Sequence, residues 1–314
     1  MRVIDRRAAL ALLGTSALTA CAAPSIVTRE DRDPFEGGIG GTGIIGVVTA
    51  LGSLQVNGLF VDVTSETSVA SALGPMTPAD VQPGMAVTIF ANRSEDGLRA
   101  RRVSVNYTAI GTAERGRSGR LEVAGVPVIA EPGALGTAEI GERVAVSGVW
   151  GPAAIVASRF DPAPEGPDLI AGTVTRGDPA RFGIGSVPVR GIARLPRRGG
   201  YAVALGQSDE RGFRARELME GRFGASDRLR LLSVDGFLEP VAALPGFRIA
   251  GLGHSFDRQV RLQRLASNRA LYFGRYTGLF RAQAGYVVPE SFAERRAALA
   301  GGIQAFNGPV IETV

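Results

Sequence analysis

The chain has 314 residues, room for two or three domains, and is 45% apolar but only 6% aromatic, so its cores must be packed mainly with Val, Ile, Leu and Ala. One cysteine and one histidine exclude an intrachain disulfide and a zinc centre built from Cys and His ligands. All 35 basic residues are arginine, and the net charge is +5. This one-sided usage fits the codon bias of a GC-rich genome, and it equips every cation for bidentate contact with carboxylate or phosphate.

Residues 1–20 read as an export signal rather than as structure. Arg2, Arg6 and Arg7 form a basic start, and Ala8–Leu18 is an apolar run too short to span a bilayer. The run ends in Leu18-Thr19-Ala20-Cys21, which resembles the bacterial lipobox; Cys21 is therefore the expected lipidation site. Arg6-Arg7 also hints at twin-arginine export. Ala22 after the cysteine resembles lipoproteins sorted to the outer membrane, so the expected location is the cell envelope, facing the periplasm. Residues 21–42 read as a charged, glycine-ended tether. Its Gly38-Ile39-Gly40-Gly41-Thr42-Gly43 matches a dinucleotide loop in letters only, because no strand precedes it and no helix follows.

From Gly43 the predicted elements are short strands. Ile44–Ala50 opens, and a hairpin follows with arms Leu54–Val56 and Leu59–Val63 around Asn57-Gly58, a dipeptide suited to two positive φ angles. A helical turn is predicted at Thr77–Val81, with Thr77 as its cap and Pro78 first. Strands Met85–Phe90 and Leu98–Val105 complete a five-stranded barrel pattern. The pattern then repeats. The hairpin returns at Val123-Ala124-Gly125-Val126 and Ile184-Gly185-Ser186-Val187, and the opening strand at Ile110-Gly111 and Ala171-Gly172. The last strand, Leu98-Arg99-Ala100-Arg101-Arg102-Val103, aligns with Ile155–Phe160, Phe213–Leu218 and Val260–Leu265. In each copy two polar residues break the alternation at one place, which predicts a β-bulge there.

The predicted fold is all-β, a tandem of small five-stranded OB-like antiparallel barrels with a short C-terminal helix. Complete repeats are placed at 43–108, 109–166 and 167–223, and a degenerate fourth, without room for a hairpin, at 224–270. The remainder, 271–314, should give two more strands and a helix at Ser291–Ala300, capped by Ser291 and Glu294 and ended by Gly301-Gly302. The segments Gly40-Gly41-Thr42-Gly43-Ile44, Val56-Asn57-Gly58 and Ala79-Asp80-Val81-Gln82-Pro83-Gly84-Met85 resemble bacterial exported proteins carrying tandem copies of domain of unknown function 5666. The resemblance is good over 37–107, weaker over 109–223 and poor beyond. It implies OB-type barrels and export, and supplies no catalytic residue.

No catalytic set, cofactor loop or metal-ligand spacing stands out. His254 lies in Gly253-His254-Ser255-Phe256-Asp257, where neighbours in sequence do not make a spatial triad. Trp150 is placed at a turn, where a packed or exposed aromatic is commoner than one stacked on a sugar. Charge is uneven: residues 21–167 carry 11 Arg against 16 Asp/Glu, whereas 168–281 carry 19 Arg against 10. The aligned last strands should turn Arg99, Arg101, Arg214, Arg216 and Arg261 outward as basic ribs, with Arg102, Arg159 and Arg264 in the next column. The expected role is a non-enzymatic binding module for an anionic glycan, a lipid headgroup or a protein, with a purely structural or assembly lipoprotein as the alternative. An enzyme ranks third, and no cofactor is expected. Export removes nucleic acid as a partner, and the basic strands lack interleaved aromatics. Replacement of Cys21 by Ala is expected to abolish acylation and release the protein from membranes, measured by fractionation of cells; detergent-sensitive membrane attachment of the variant would contradict the lipobox.

Overall fold

In the hairpin at the start of the chain, local sequence dictates geometry most directly. Asn57 and Gly58 adopt φ of 56° and 72°, and Ala124 and Gly125 repeat the pair at 52° and 73°. Two consecutive left-handed residues make the tight turn whose twist matches that of the flanking strands. In the computed structural model the described residues are 41–116, 118–176, 182–224, 227–240, 247–249, 268–278, 280–308 and 310–311.

The first unit comprises β1 (Gly41–Ala50), β2 (Leu54–Val56), β3 (Leu59–Asp62), β4 (Ser68–Ser71), β5 (Gly74–Met76), β6 (Ala86–Ser94) and β7 (Gly97–Val105). The second comprises β8 (Ala109–Arg115), β9 (Leu121–Val123), β10 (Val126–Leu135), β11 (Arg143–Trp150) and β12 (Ile155–Pro162). The third comprises β13 (Asp168–Arg176), β14 (Phe182–Ile184), β15 (Val187–Arg190), β16 (Tyr201–Asp209) and β17 (Gly212–Glu220). Then come β18 (Leu229–Pro240), β19 (Phe247–Ile249), β20 (Arg269–Tyr276), β21 (Phe280–Val287), the helix α1 (Phe292–Leu299) and β22 (Val310–Ile311). Among the described residues no helix is long and apolar enough to cross a membrane.

Strands β8–β12 and β13–β17 are two closed five-stranded barrels in tandem, joined through β8 and β13 into a ten-stranded sheet. Each runs opening, second, third, fifth, fourth and back to the opening strand. Only the third and fifth strands run parallel, β10 with β12 and β15 with β17. Strands β1, β2, β3, β7 and β6 pair in the same cycle, again with a parallel pair, β3 with β7. The chain thus has the all-β, OB-like architecture expected from its hairpins, with one short C-terminal helix. A single buried cluster runs through the β8–β12 and β13–β17 barrels, from Ala109 and Ile155 to Ile184 and Phe213.

The bulge falls at one place in every copy. Phe90 faces Arg102 while Ala91 faces Ala100, leaving Arg101 as the extra residue. Ser158 and Arg216 are the extra residues in the next two barrels. In the second and third copies the kink brings backbone so close to the facing strand that a side chain there is excluded. A Cβ on Gly148 would lie 2.3 Å from the Val156 carbonyl oxygen, and one on Gly206 would lie 2.0 Å from that of Arg214.

The same device identifies the fourth copy. Strands β20 and β21 carry a bulge at Gln283, and a Cβ on Gly274 would meet the Arg281 carbonyl oxygen at 1.9 Å. Counted from the bulge, the facing pairs Ile44 with Ile89, Ala109 with Val146, Ile170 with Ala204 and Val234 with Tyr272 are equivalent. The opening, fourth and fifth strands of this copy are therefore β18, β20 and β21. A second strand is present too, since β19 pairs antiparallel with β18. The expected last strand at Val260–Leu265 lies outside the described residues. Strand β18 runs parallel to β1, so the fourth copy extends the sheet of the first.

Two local details differ from expectation. The helical turn is a single 3-10 turn, Pro78–Asp80, whose Asp80 carboxylate accepts from the Thr77 N–H and hydroxyl at 2.7 and 2.8 Å. Before it lies an extra hairpin, β4–β5, with β4 parallel to Arg102–Val105 of β7, beyond the stretch of β7 that pairs with β3. Helix α1 begins after Ser291, whose hydroxyl accepts from the Glu294 N–H, and Gly302 at φ 86° follows its end. It seats Phe292 in a buried cluster with Val47 and Ala86.

Gly58 meets this C-terminal segment. Its carbonyl accepts from the Ile303 N–H at 2.8 Å, and a Cβ would lie 2.8 Å from that nitrogen. Gly58→Val is expected to combine left-handed strain with this collision and cost about 2–3 kcal/mol, read by chemical denaturation. An unchanged unfolding midpoint would contradict the docking.

Candidate functional site

Alternation on β7 and β17 fixes the arginine ribs. Ala100 and Ala215 are buried, at 2% and 3% exposure, so Arg99, Arg101, Arg214 and Arg216 on either side point to solvent. Arg101 reaches Glu66 at 3.8 Å with both side chains largely exposed, a contact worth little in water. Arg99, Arg214 and Arg216 make no ion pair with any described residue. Arg190 stands beside Arg214 across the parallel pair, and its Nη2 meets Asp209, holding that carboxyl below the usual range. The described residues of the β13–β17 barrel, 168–176 and 182–220, contain eight Arg and five Asp/Glu, against four Arg and six Asp/Glu in those of the β8–β12 barrel, 109–116 and 118–162. Cys21, His254, Arg261 and Arg264 lie outside the described residues.

The next column of arginines does other work. Arg102 pairs with Asp227, which also accepts from the Gly224 N–H. Arg159 donates to Asp161 at 2.6 Å and to the Pro83 carbonyl at 3.2 Å, while Ser158, the bulge residue, donates to the Gly84 carbonyl at 2.7 Å. The bonds to the Pro83 and Gly84 carbonyls reach from the second unit to the first. Arg143 donates to Asp168 at 2.8 Å and to the carbonyls of Pro164 and Pro167, pinning the linker between the second and third units.

The three units meet at a cleft lined by Ile45, Gly46, Val87, Asn106, Trp150, Tyr201 and Arg222, among others, with about 20 Å³ open to a water-sized molecule. That space holds about one water. Trp150 is a packing residue: it is 5% exposed, its Nε1–H donates to the Ala171 carbonyl at 2.7 Å, and it covers Gly172 and Gly185 so closely that neither could carry a Cβ. It offers no face to a sugar. Arg222 is half-buried. The guanidinium lies 3.7 Å from the Tyr201 ring centroid and donates through Nη1 to Thr88 Oγ1 at 3.1 Å. Burial pulls it below the usual arginine range, and its Nε is buried without a partner among the described residues.

The densest titratable cluster is elsewhere. Arg269 donates through Nε and Nη2 to the two oxygens of Asp235, at 2.8 and 2.6 Å, and through Nη1 to Glu131 at 2.7 Å. Arg295 donates to the other Glu131 oxygen at 2.7 Å. All four side chains are 0–2% exposed. The two carboxylates hold Arg269 above the usual arginine range despite its burial, whereas burial and the neighbouring Arg269 pull Arg295 below it. Each carboxylate is already bonded to a guanidinium, so the tetrad is a neutral joint between β10, β18, β20 and α1 rather than an acid–base pair. Among the described residues no group of three His, Cys, Asp or Glu is placed to hold a metal ion.

Comparison with protein-family models, with curated proteins and with solved structures found no match. Glu131→Gln is expected to leave two buried guanidiniums with one carboxylate and to cost about 3–5 kcal/mol, measured by equilibrium denaturation. A loss below about 1 kcal/mol, the range of an exposed pair, would show that the joint is not dry.

Proposed function

We propose that the chain is a non-enzymatic lipoprotein of the bacterial cell envelope, anchored through Cys21 in the outer membrane and facing the periplasm, whose third barrel holds an anionic glycan or lipid headgroup. The observation that carries this reading is Arg214 and Arg216, exposed on either side of buried Ala215 and without ion-pair partners among the described residues, on a barrel rich in arginine. An anionic surface engages several such cations together, at about 1 kcal/mol for each, and the gain falls as salt screens it. Arg99 and Arg101 on the first unit would add to the same attraction, as would Arg261 and Arg264. The resemblance to exported tandem-barrel proteins supports the envelope setting and names no ligand.

The alternative is an assembly lipoprotein with purely structural contacts. It is favoured by Arg102 and Arg143, whose carboxylate partners Asp227 and Asp168 lie outside their own units, and by Arg159, which also donates to the Pro83 carbonyl of the first unit.

A chain starting at residue 22, without lipid, is expected to bind phosphatidylglycerol vesicles or lipopolysaccharide at low ionic strength and to lose most of that binding at physiological salt. Arg214→Ser with Arg216→Ser should weaken it by about tenfold or more while leaving the unfolding midpoint unchanged. Absence of binding at low salt, or binding indifferent to salt and to these substitutions, would favour the assembly role.

A further inference from the structure

An arginine is charged at any ordinary pH, so a surface where exposed arginines gather without carboxylates keeps a field that only salt screens. The ribs of the third barrel are one such place, and the fourth copy holds another. Residues 228–234 and 268–288 contain five Arg and no Asp or Glu. Arg269 is buried in the tetrad, whereas Arg228, Arg230, Arg275 and Arg281 are exposed. Strand pairing gathers these four. Arg275 faces Arg281 across β20–β21 and Leu231 across β18–β20, and Leu231 follows Arg230. Directly opposed residues lie about 5 Å apart at Cα, close enough for two arginines to meet one phosphate. Arg228, Arg230 and Arg275 make no ion pair with any described residue.

The four stand where the chain enters the fold. Strand β1 starts at Gly41, whose N–H donates to the Arg228 carbonyl at 2.9 Å and which faces Leu229 in the parallel pair with β18. Cys21 is about twenty residues earlier, a length that spans at most about 70 Å. A lipid on Cys21 would therefore keep this end of the sheet within reach of the bilayer, and contact between them would be intramolecular. The rim around the arginines is apolar and half-buried, with Leu229 and Leu231 on β18, Phe223 over Gly43, and Tyr276 against the same core. Arginine stems and aromatic rings together suit the boundary between headgroups and water. The other flank of β1 is less basic: Arg93, Arg99 and Arg101 of the β6–β7 hairpin are matched in number by Glu95 and Asp96 of its turn and by Glu66, which pairs with Arg101.

We infer that the lip formed by Arg228, Arg230, Arg275 and Arg281 is a docking surface for the anionic phospholipid headgroups of the membrane that carries the anchor, and that it sets which face the protein turns to that membrane. The inference rests on the acylation of Cys21 proposed above and not on the ribs of the third barrel. Each exposed arginine adds about fivefold to the affinity for an anionic bilayer, and salt removes the gain.

The test uses the acylated protein in vesicles, with one reporter at a time. With Cys21 acylated, Thr277→Cys in the β20–β21 turn and, separately, Glu210→Cys in the β16–β17 turn each provide a single free thiol for a fluorophore. Its quenching by a headgroup-bound quencher is read in phosphatidylcholine and in phosphatidylglycerol vesicles. At low salt phosphatidylglycerol should raise quenching at position 277 several-fold above that at position 210. Molar salt, or Arg228→Ser with Arg230→Ser and Arg275→Ser, should remove the difference. Equal quenching at the two positions would overturn the inference, and stronger quenching at position 210 would overturn it in favour of the third barrel. A protein that phosphatidylcholine vesicles do not retain would refute the anchor instead. The lip is then judged on the chain starting at residue 22: the three substitutions should weaken its binding to phosphatidylglycerol vesicles by about a hundredfold, and an unchanged affinity overturns the inference.

Discussion

A neutral group of four buried side chains ties together segments that sequence keeps far apart. Glu131 comes from the second unit, Asp235 and Arg269 from the fourth, and Arg295 from the C-terminal helix. Moving any one of these charges out of water is expensive, and their mutual attraction offsets the cost only while all four stay in place. The helix is tied down by this group through Arg295. It has eight residues, too few to be stable alone, and its apolar anchor is Phe292 against Val47 and Ala86. Once seated, it also receives the first hairpin: Gln55 donates to the Leu299 carbonyl and Arg296 to the Thr49 carbonyl.

The barrels themselves rest on a smaller and repeated constraint. A bulge in the fifth strand re-aims one side chain and presses the strand against its neighbour, where only Gly148, Gly206 and Gly274 fit in the last three units. The bulge position is free to vary in chemistry. Arg101 and Arg216 face solvent there, whereas Ser158 turns inward and bonds to the preceding unit. One backbone irregularity therefore serves as surface in two copies and as a joint in another.

What could be read from the sequence was local. Asn57-Gly58, the bulge pattern and the Ser291 cap all act within a few residues, so the barrels, their hairpins and the final helix were legible. In the fourth copy the sequence points to the observed opening strand, but Pro245-Gly246-Phe247 imitates the start of a fourth strand, whereas Phe247–Ile249 pairs with β18 as a second one. The true last strand, Phe280-Arg281-Ala282-Gln283, lies beyond the interval where the spacing of the earlier units would put it. The β4–β5 hairpin is hard to read because its strands are short and mostly half-buried, with little apolar pattern to mark them. Gly151-Pro152 gives Trp150 the look of a turn residue, while its actual partners are a glycine each from β13 and the third hairpin. The tetrad and Arg222 left no trace, since 35 arginines offer no means of telling a buried one from a solvated one.

The parallel pairing of β1 with β18 places the two ends of the described chain in one sheet, with three barrels in the loop between them. A chain that stops short of Leu229 would leave the first half of β1 with unpaired backbone on one side, an adhesive edge on an otherwise closed barrel. A chain cut once within that loop would behave differently, because both pieces retain their places in shared sheets and neither has a complete surface of its own. Shortening the protein from its C-terminus is thus the more damaging operation, and the integrity of the N-terminal barrel is decided by the last quarter of the chain.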